Sequence, residues 1–173
     1  MLAKKRINFV LFFLLCLGGT VVLIVSMSVK QRFNQDSNQP EKSFLEMQDH
    51  FSDRERRVIT IAGVPLEVEV VASAESTAQG LSGRESIGAD GMLFVFPDSQ
   101  VRRFWMPDMQ FDIDILWIQD KTVVDISEQV PKPLPEQKVL PTYSPTKPVN
   151  RVLELPAGKA AELGIGIGTS VEY

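Results

Sequence analysis

Carboxylates recur at alternate positions in FWMPDMQFDIDILWI, residues 104 to 118, as Asp108, Asp112 and Asp114 with Gln110 between them. Two carboxylates, one of them desolvated and protonated, are the equipment for acid/base cleavage of a glycosidic bond, and Asp112 and Asp114 are the candidate pair. Leu116 and Ile118 turn the polar face apolar just after Asp114, which puts that carboxylate at the margin of a core. Burial there raises a carboxyl pKa unless a cation compensates. Arg84, Arg102 and Arg103 are the nearby cations, and an Arg84–Asp114 ion pair would pin a turn to a strand without doing chemistry. The same stretch carries soft donors. Met106 and Met109 flank a proline beside Trp105, with Met92 as a third thioether, and thioethers suit Cu(I). Met beside aromatics is also ordinary core packing. Trp105 and Tyr143 are surface aromatics of the kind that line a groove for sugar or peptide. Ser144 in TYSPT has no base to activate it, because the segment after Arg57 holds neither Cys nor His.

The elements that must position these residues are short. Residues two apart share a face of a strand, so Asp108, Gln110, Asp112 and Asp114 point one way while Met109, Phe111, Ile113, Ile115 and Trp117 point the other. The plain reading is a half-buried strand with a wet side. VITI and LEVEVVA are strand-like runs joined by AGVP, and Ser73 opens SAESTAQGLSG as a capped helix that stops at glycine. GMLFVF is apolar on both faces and predicts a central strand. WIQDKTVVDIS gives two strand pieces around a turn at Asp120 and Lys121. Pro131, Pro133, Pro135, Pro141, Pro145 and Pro148 make the next segment a long surface loop with at most an edge piece. VNRVLEL returns as a strand, and PAGKAAELG is a short helix. The expected class is mainly β (α+β): a compact, barrel-like domain of about seven strands with two short helices.

Before this domain, Ile7 to Val29 holds no charged residue and reaches about 34 Å at roughly 1.5 Å per helical residue, enough to cross a bilayer core. It is longer than a signal-peptide core, which favours an uncleaved anchor over a cleaved leader. Lys4, Lys5 and Arg6 against Lys30 and Arg32 place the amino terminus inside, so that the rest faces the periplasm or the exterior. Cys16 lies mid-span as a small apolar side chain. The expected organisation is a cytoplasmic stub and anchor over 1–29, a polar tether over 30–57 containing His50, the only histidine, and an exported domain over 58–173. The net charge of −4 gives no support for nucleic acid as a partner.

GLSGR (80 to 84), GMLFVF (91 to 96), FWM (104 to 106), DILWI (114 to 118) and VLELPAG (152 to 158) followed by LGI occur in an order that resembles domain-of-unknown-function family 192. The resemblance covers nearly all of Val70 to Val171. It implies a compact, β-rich, often exported bacterial or archaeal domain, with no biochemical activity established for the family. In the family pattern FWM continues with a basic residue, Asn and Thr, and later Pro, Leu, Asp. Here Pro107, Asp108 and Met109 replace the first three, Asp112 stands at the Pro position, and Asp114 agrees.

These readings converge on a single-pass protein of the bacterial cell membrane, its exported domain binding an envelope component or a protein partner through residues such as Arg84, Trp105, Asp108, Asp114 and Tyr143, without a cofactor. The competing expectation is a carboxylate-dependent hydrolase of envelope glycan acting through Asp112 and Asp114. A Cu(I) site at Met106 and Met109 is the third.

Overall fold

The computed structural model describes residues 50–173. The expected bilayer span at Ile7 to Val29, Cys16 within it, and the greater part of the tether lie outside the described residues. Among the described residues no helix is long and apolar enough to cross a membrane. In order come β1 (Arg56–Ile61), β2 (Val64–Val71), α1 (Ala74–Gln79), β3 (Gly91–Gln100), β4 (Ile113–Gln119), β5 (Thr122–Val130), β6 (Val149–Pro156), α2 (Lys159–Glu162) and β7 (Val171–Glu172). Seven strands and two short helices in a mainly-β domain match the sequence expectation.

The strands form one sheet in the order β5-β4-β6-β3-β2-β1-β7. Only β2 and β3 run parallel, and the segment carrying α1 between them is the crossover that a parallel pair needs. The sheet curls until its edges touch. Thr122 at the start of β5 bridges Ser170, Val123 N donates to Thr169 O at 3.0 Å, and Val171 N donates to Lys121 O at 2.8 Å.

Both faces of the sheet are buried. Inside the curl lie Ile59, Ile61, Val68, Leu93, Leu116, Leu153 and Leu155. On the other face Met92, Phe94, Ile115, Trp117 and Val152 pack beneath Leu81, Ile87, Met106 and Met109, which descend from the connections. The pleat explains the division, since consecutive residues of β4 and β6 alternate between the two clusters. β4 therefore has no wet side, and every residue from Ile113 to Ile118 is buried. This corrects the half-buried strand expected for residues 108 to 118. The strand begins at Ile113 because Asp108 takes a positive φ of 52° and breaks the extended run. Asp108, Gln110 and Asp112 stay exposed in the preceding loop, whereas Asp114 enters the protein.

Residues 51 to 57, read from sequence as the end of the tether, are built into the domain. Arg54 N donates to Val70 O and Val70 N to Glu55 O, both at 2.8 Å, and the Phe51 ring meets Tyr173 edge-on at 5.5 Å.

Candidate functional site

Helix α1 is fixed at its start and released at its end. Ser73 is the N-cap and forms a reciprocal capping box with Ser76. The Asp53 carboxylate adds to it, accepting from Ala72 N at 2.8 Å, Ser73 N at 3.1 Å and the Ser76 hydroxyl. The Ala72 amide, then the Ser76 hydroxyl and the Ser73 amide, hold Asp53 far below the usual carboxylate range. The helix ends at Gly80, whose φ is +50° and where a Cβ would stand 3.2 Å from Phe94 Cζ, so glycine lets the turn settle onto that ring.

The GLSG turn is tied to the loop after FWM. Ser82 Oγ donates to Pro107 O at 2.8 Å and Gly83 N to Asp108 O at 3.1 Å. Arg84 then reaches β2, where its guanidinium forks onto Glu69 at 2.6 and 2.8 Å, with Arg54 Nη1 on the same carboxylate at 3.1 Å. Those contacts, the Arg84 hydrogen bonds foremost, pull Glu69 down to about 2. The expected Arg84–Asp114 pair does not form; Arg84 pins its turn to β2 through Glu69.

In FWM, Phe104 pairs by backbone with Tyr143, N to O at 2.9 Å and O to N at 2.8 Å, which fastens the proline-rich loop to this motif. Its ring sits edge-on to Phe94 at 5.0 Å and to Trp117 at 5.3 Å. With Phe104 turned inward, the next residue turns outward: Trp105 is 64 % exposed and Met106 only 3 %. Met109 folds back under the turn and is 6 % exposed.

A cavity of about 210 Å³ lies between these pieces. The end of α1 and the turn from Thr77 to Ser82 form one wall, Arg103 to Pro107 with Met109 form the other, and Phe94 and Glu154 supply the sheet side. Glu154 sits on β6 between Met92 of β3 and Ile115 of β4, on the face it shares with Val152. It is 5 % exposed, and burial alone pushes its carboxyl up to about 8. Gly91 lets β3 and β6 approach closely, because a Cβ there would stand 2.8 Å from the Glu154 backbone oxygen and 2.8 Å from the Leu155 side chain.

The structure thus gathers Trp105, Met106, Met109 and Arg103 around one cavity, and leaves Arg84, Asp108, Asp112, Asp114 and Tyr143 outside its lining. Asp114 Oδ1 accepts from Gln129 N at 2.8 Å and Oδ2 from Ala160 N at 2.9 Å, so both oxygens serve backbone amides. Asp112 Oδ1 accepts from Lys132 N at 2.8 Å. Asp108 borders a second, more open groove of about 570 Å³ that runs from Trp105 toward Lys132, Leu134 and Lys138. Among the described residues no three His, Cys, Asp or Glu side chains group to hold a metal. Sequence reasoning missed Glu154. The signal was present in VLELPAG: Leu153 and Leu155 face the curl, so the parity of the strand sends Glu154 to the opposite, equally apolar face.

The motifs that meet here are those of a known family, and its model, DUF192, described as "Uncharacterized ACR", matches residues 57–173. The chain belongs to the DUF192 family. Two solved structures resemble this DUF192 domain. One, a candidate transcription regulator from Sinorhizobium meliloti 1021, is 27 % identical with a TM-score of 0.59, over 71 % of this chain and 97 % of that one. The other, a protein of unknown function from Novosphingobium aromaticivorans DSM 12444, is 27 % identical with a TM-score of 0.58, over 68 % and 85 %. No curated relative matches the chain. In this DUF192 domain GLSG, FWM and VLELPAG, far apart in sequence, each contribute to the lining of the same cavity.

Proposed function

We propose that the protein is a membrane-anchored component of the cell envelope whose DUF192 domain is a binding module, and that its ligand enters the cavity over Glu154. The carrying observation is the carboxyl itself. A carboxyl 5 % exposed, with burial as the one cause of its raised pKa, is a destabilising feature in an apolar face, and a bound ligand would relieve it. The cavity is smaller than the roughly 300 to 1,000 Å³ of drug-sized sites, which suits a small molecule or one projecting side chain. The apolar run from Ile7 to Val29 supports the anchor, and the basic residues before it support an exported domain.

Glycan hydrolysis receives less support. It requires two carboxylates facing one substrate, and Glu154 is the single carboxylate in the lining. The net charge of −4 offers a nucleic-acid backbone no attraction, so the description of the Sinorhizobium protein is not extended to this chain. Cu(I) keeps one supporting observation, the placement of Met106 and Met109 on the same cavity.

The test uses the full chain in detergent, with melting midpoint and Trp105 fluorescence followed against a panel of small envelope metabolites and Cu(I). A ligand that raises the midpoint of the natural protein and not that of Glu154→Gln supports the reading. A panel that moves neither readout counts against it. A reporter active only outside the cytoplasm, fused after Tyr173, tests the topology, and an inactive fusion would place the domain inside.

A further inference from the structure

Resting on that reading of the cavity, we infer that its ligand is a small zwitterion of the α-amino-acid class, with the ammonium on the Glu154 carboxylate and the carboxylate toward Arg103. Of all the residues that line the cavity, only these two ionise or carry charge, and they are opposite in sign. Glu154 belongs to the sheet side and is buried, whereas Arg103 is exposed on the loop wall. They do not pair with each other, since burial alone acts on Glu154. The neighbouring Arg102 is engaged, lying over the Phe96 ring at 4.1 Å and pairing with Asp98, while no carboxylate among the described residues bridges Arg103. A buried carboxyl without a partner and an exposed guanidinium without a carboxylate, on the walls of one cavity, are the complement of a molecule that carries both signs.

The remaining lining favours the ammonium at the inner end. Phe94, Phe104 and Trp105 present aromatic rings, and Met106 and Met109 present polarizable sulfur, all of which attract a desolvated cation and tolerate a short aliphatic side chain. An anion alone would meet Glu154 with like charge. A neutral amide would leave Arg103 unanswered. A simple amine would satisfy the inner group only.

This arrangement couples binding to a proton. Apart from Arg103 on the loop wall, the groups around Glu154 are uncharged: Met92 on β3 and Ile115 on β4 beside it in the sheet, and Thr77, Gln79, Ser82, Met106 and Met109 in the cavity lining. With its carboxyl raised to about 8, Glu154 is protonated at neutral pH in the empty cavity, and an arriving ammonium favours the ionised form. Binding then releases up to one proton. Affinity rises by up to about tenfold per pH unit between pH 6 and 8.

Calorimetry on the full chain in detergent at pH 7, in two buffers of different ionisation enthalpy, tests this with glycine, L-alanine, L-leucine, propylamine, propionate and propanamide. At least one amino acid should bind with proton release and at least tenfold more tightly than propylamine. Arg103→Gln should bring the amino acid to the level of propylamine, and Glu154→Gln should remove the proton release and at least tenfold of the affinity while keeping the circular dichroism of the natural protein. Propylamine binding as tightly as the amino acids would overturn the part given to Arg103. Tighter binding of propionate or propanamide without proton release would overturn the zwitterion and leave the cavity as a ligand site. Silence from all six overturns the zwitterion as well, and the broader panel described above then decides whether the cavity binds anything.

Discussion

The carboxylate of Asp114 on β4 accepts the backbone amide of Ala160 at 2.9 Å, where α2 begins without a side-chain cap of its own. Its other oxygen takes the amide of Gln129 at 2.8 Å. Gln129 has a positive φ of 48° and lies where the β4–β5 register shifts between Ile113 and Ile115, so a bulge leaves its N–H without a ladder partner. One buried side chain therefore completes two backbone defects. The alternating aspartates of the sequence divide accordingly: Asp114 is architecture, and those before it are loop residues.

Asn at position 114 keeps one acceptor and turns an N–H₂ toward the second amide. Asp114→Asn is expected to destabilise the domain by about 1 to 3 kcal/mol. Asp108→Asn, exposed and at a φ that Asn tolerates, should stay within about 0.5 kcal/mol. Urea midpoints of the two variants decide the matter, and equal shifts would contradict this assignment.

Where the domain begins is set by Asp53, which holds the start of α1, and by Arg54, which shares Glu69 with Arg84. A fragment starting at His50 should unfold cooperatively at a higher midpoint than one starting at Val58. Asp53→Ala in the longer fragment should recover part of the difference. Identical midpoints for the two fragments would show that these contacts contribute nothing to stability.

Elements specified by neighbours in sequence were legible: the Ser73 cap, the turn at Asp120, the proline-rich loop and the buried GMLFVF strand all follow from residues within a few positions. What escaped depends on contacts between distant segments. The partners of Asp114 lie 15 and 46 residues away, and one of them exists only because β5 bulges. A polar composition made residues 51 to 57 read as tether, although Asp53 and Arg54 act on residues about 20 and 15 positions later. Trp105, Met106 and Met109 were picked out from residue type alone, and the cavity gathers them. Glu154 was hidden inside a motif that read as a plain strand.

Glu69 should govern the acid limb of stability. Its ordinary value of 4.5 falls to about 2 in the folded domain, chiefly through the Arg84 hydrogen bonds. A depressed carboxylate stabilises above its unfolded value, and that contribution disappears as pH falls through the folded one. Glu69→Gln should therefore lower the urea midpoint at pH 6 and leave it unchanged near pH 2. A deficit that persists at pH 2 would point to lost packing in place of lost charge.

Glu154 acts in the opposite sense. In the unfolded chain it titrates near 4.5, and in the folded domain burial raises it to about 8. Below pH 4.5 both states hold the proton and the group contributes no difference. Between the two values only the unfolded state gives up its proton, so stability declines as pH rises, by up to about 1.4 kcal/mol per unit. Above about 8 the folded state ionises as well and the decline stops. Glutamine does not titrate. Glu154→Gln should therefore match the natural protein near pH 4, exceed it by a widening margin through pH 6 and 7, and reach a plateau of a few kcal/mol above pH 8. Urea midpoints at pH 4, 6, 7.5 and 9, without ligand, measure that margin. A margin constant across the series would mean that Glu154 carries the same charge in both states and would remove the proton linkage from the cavity.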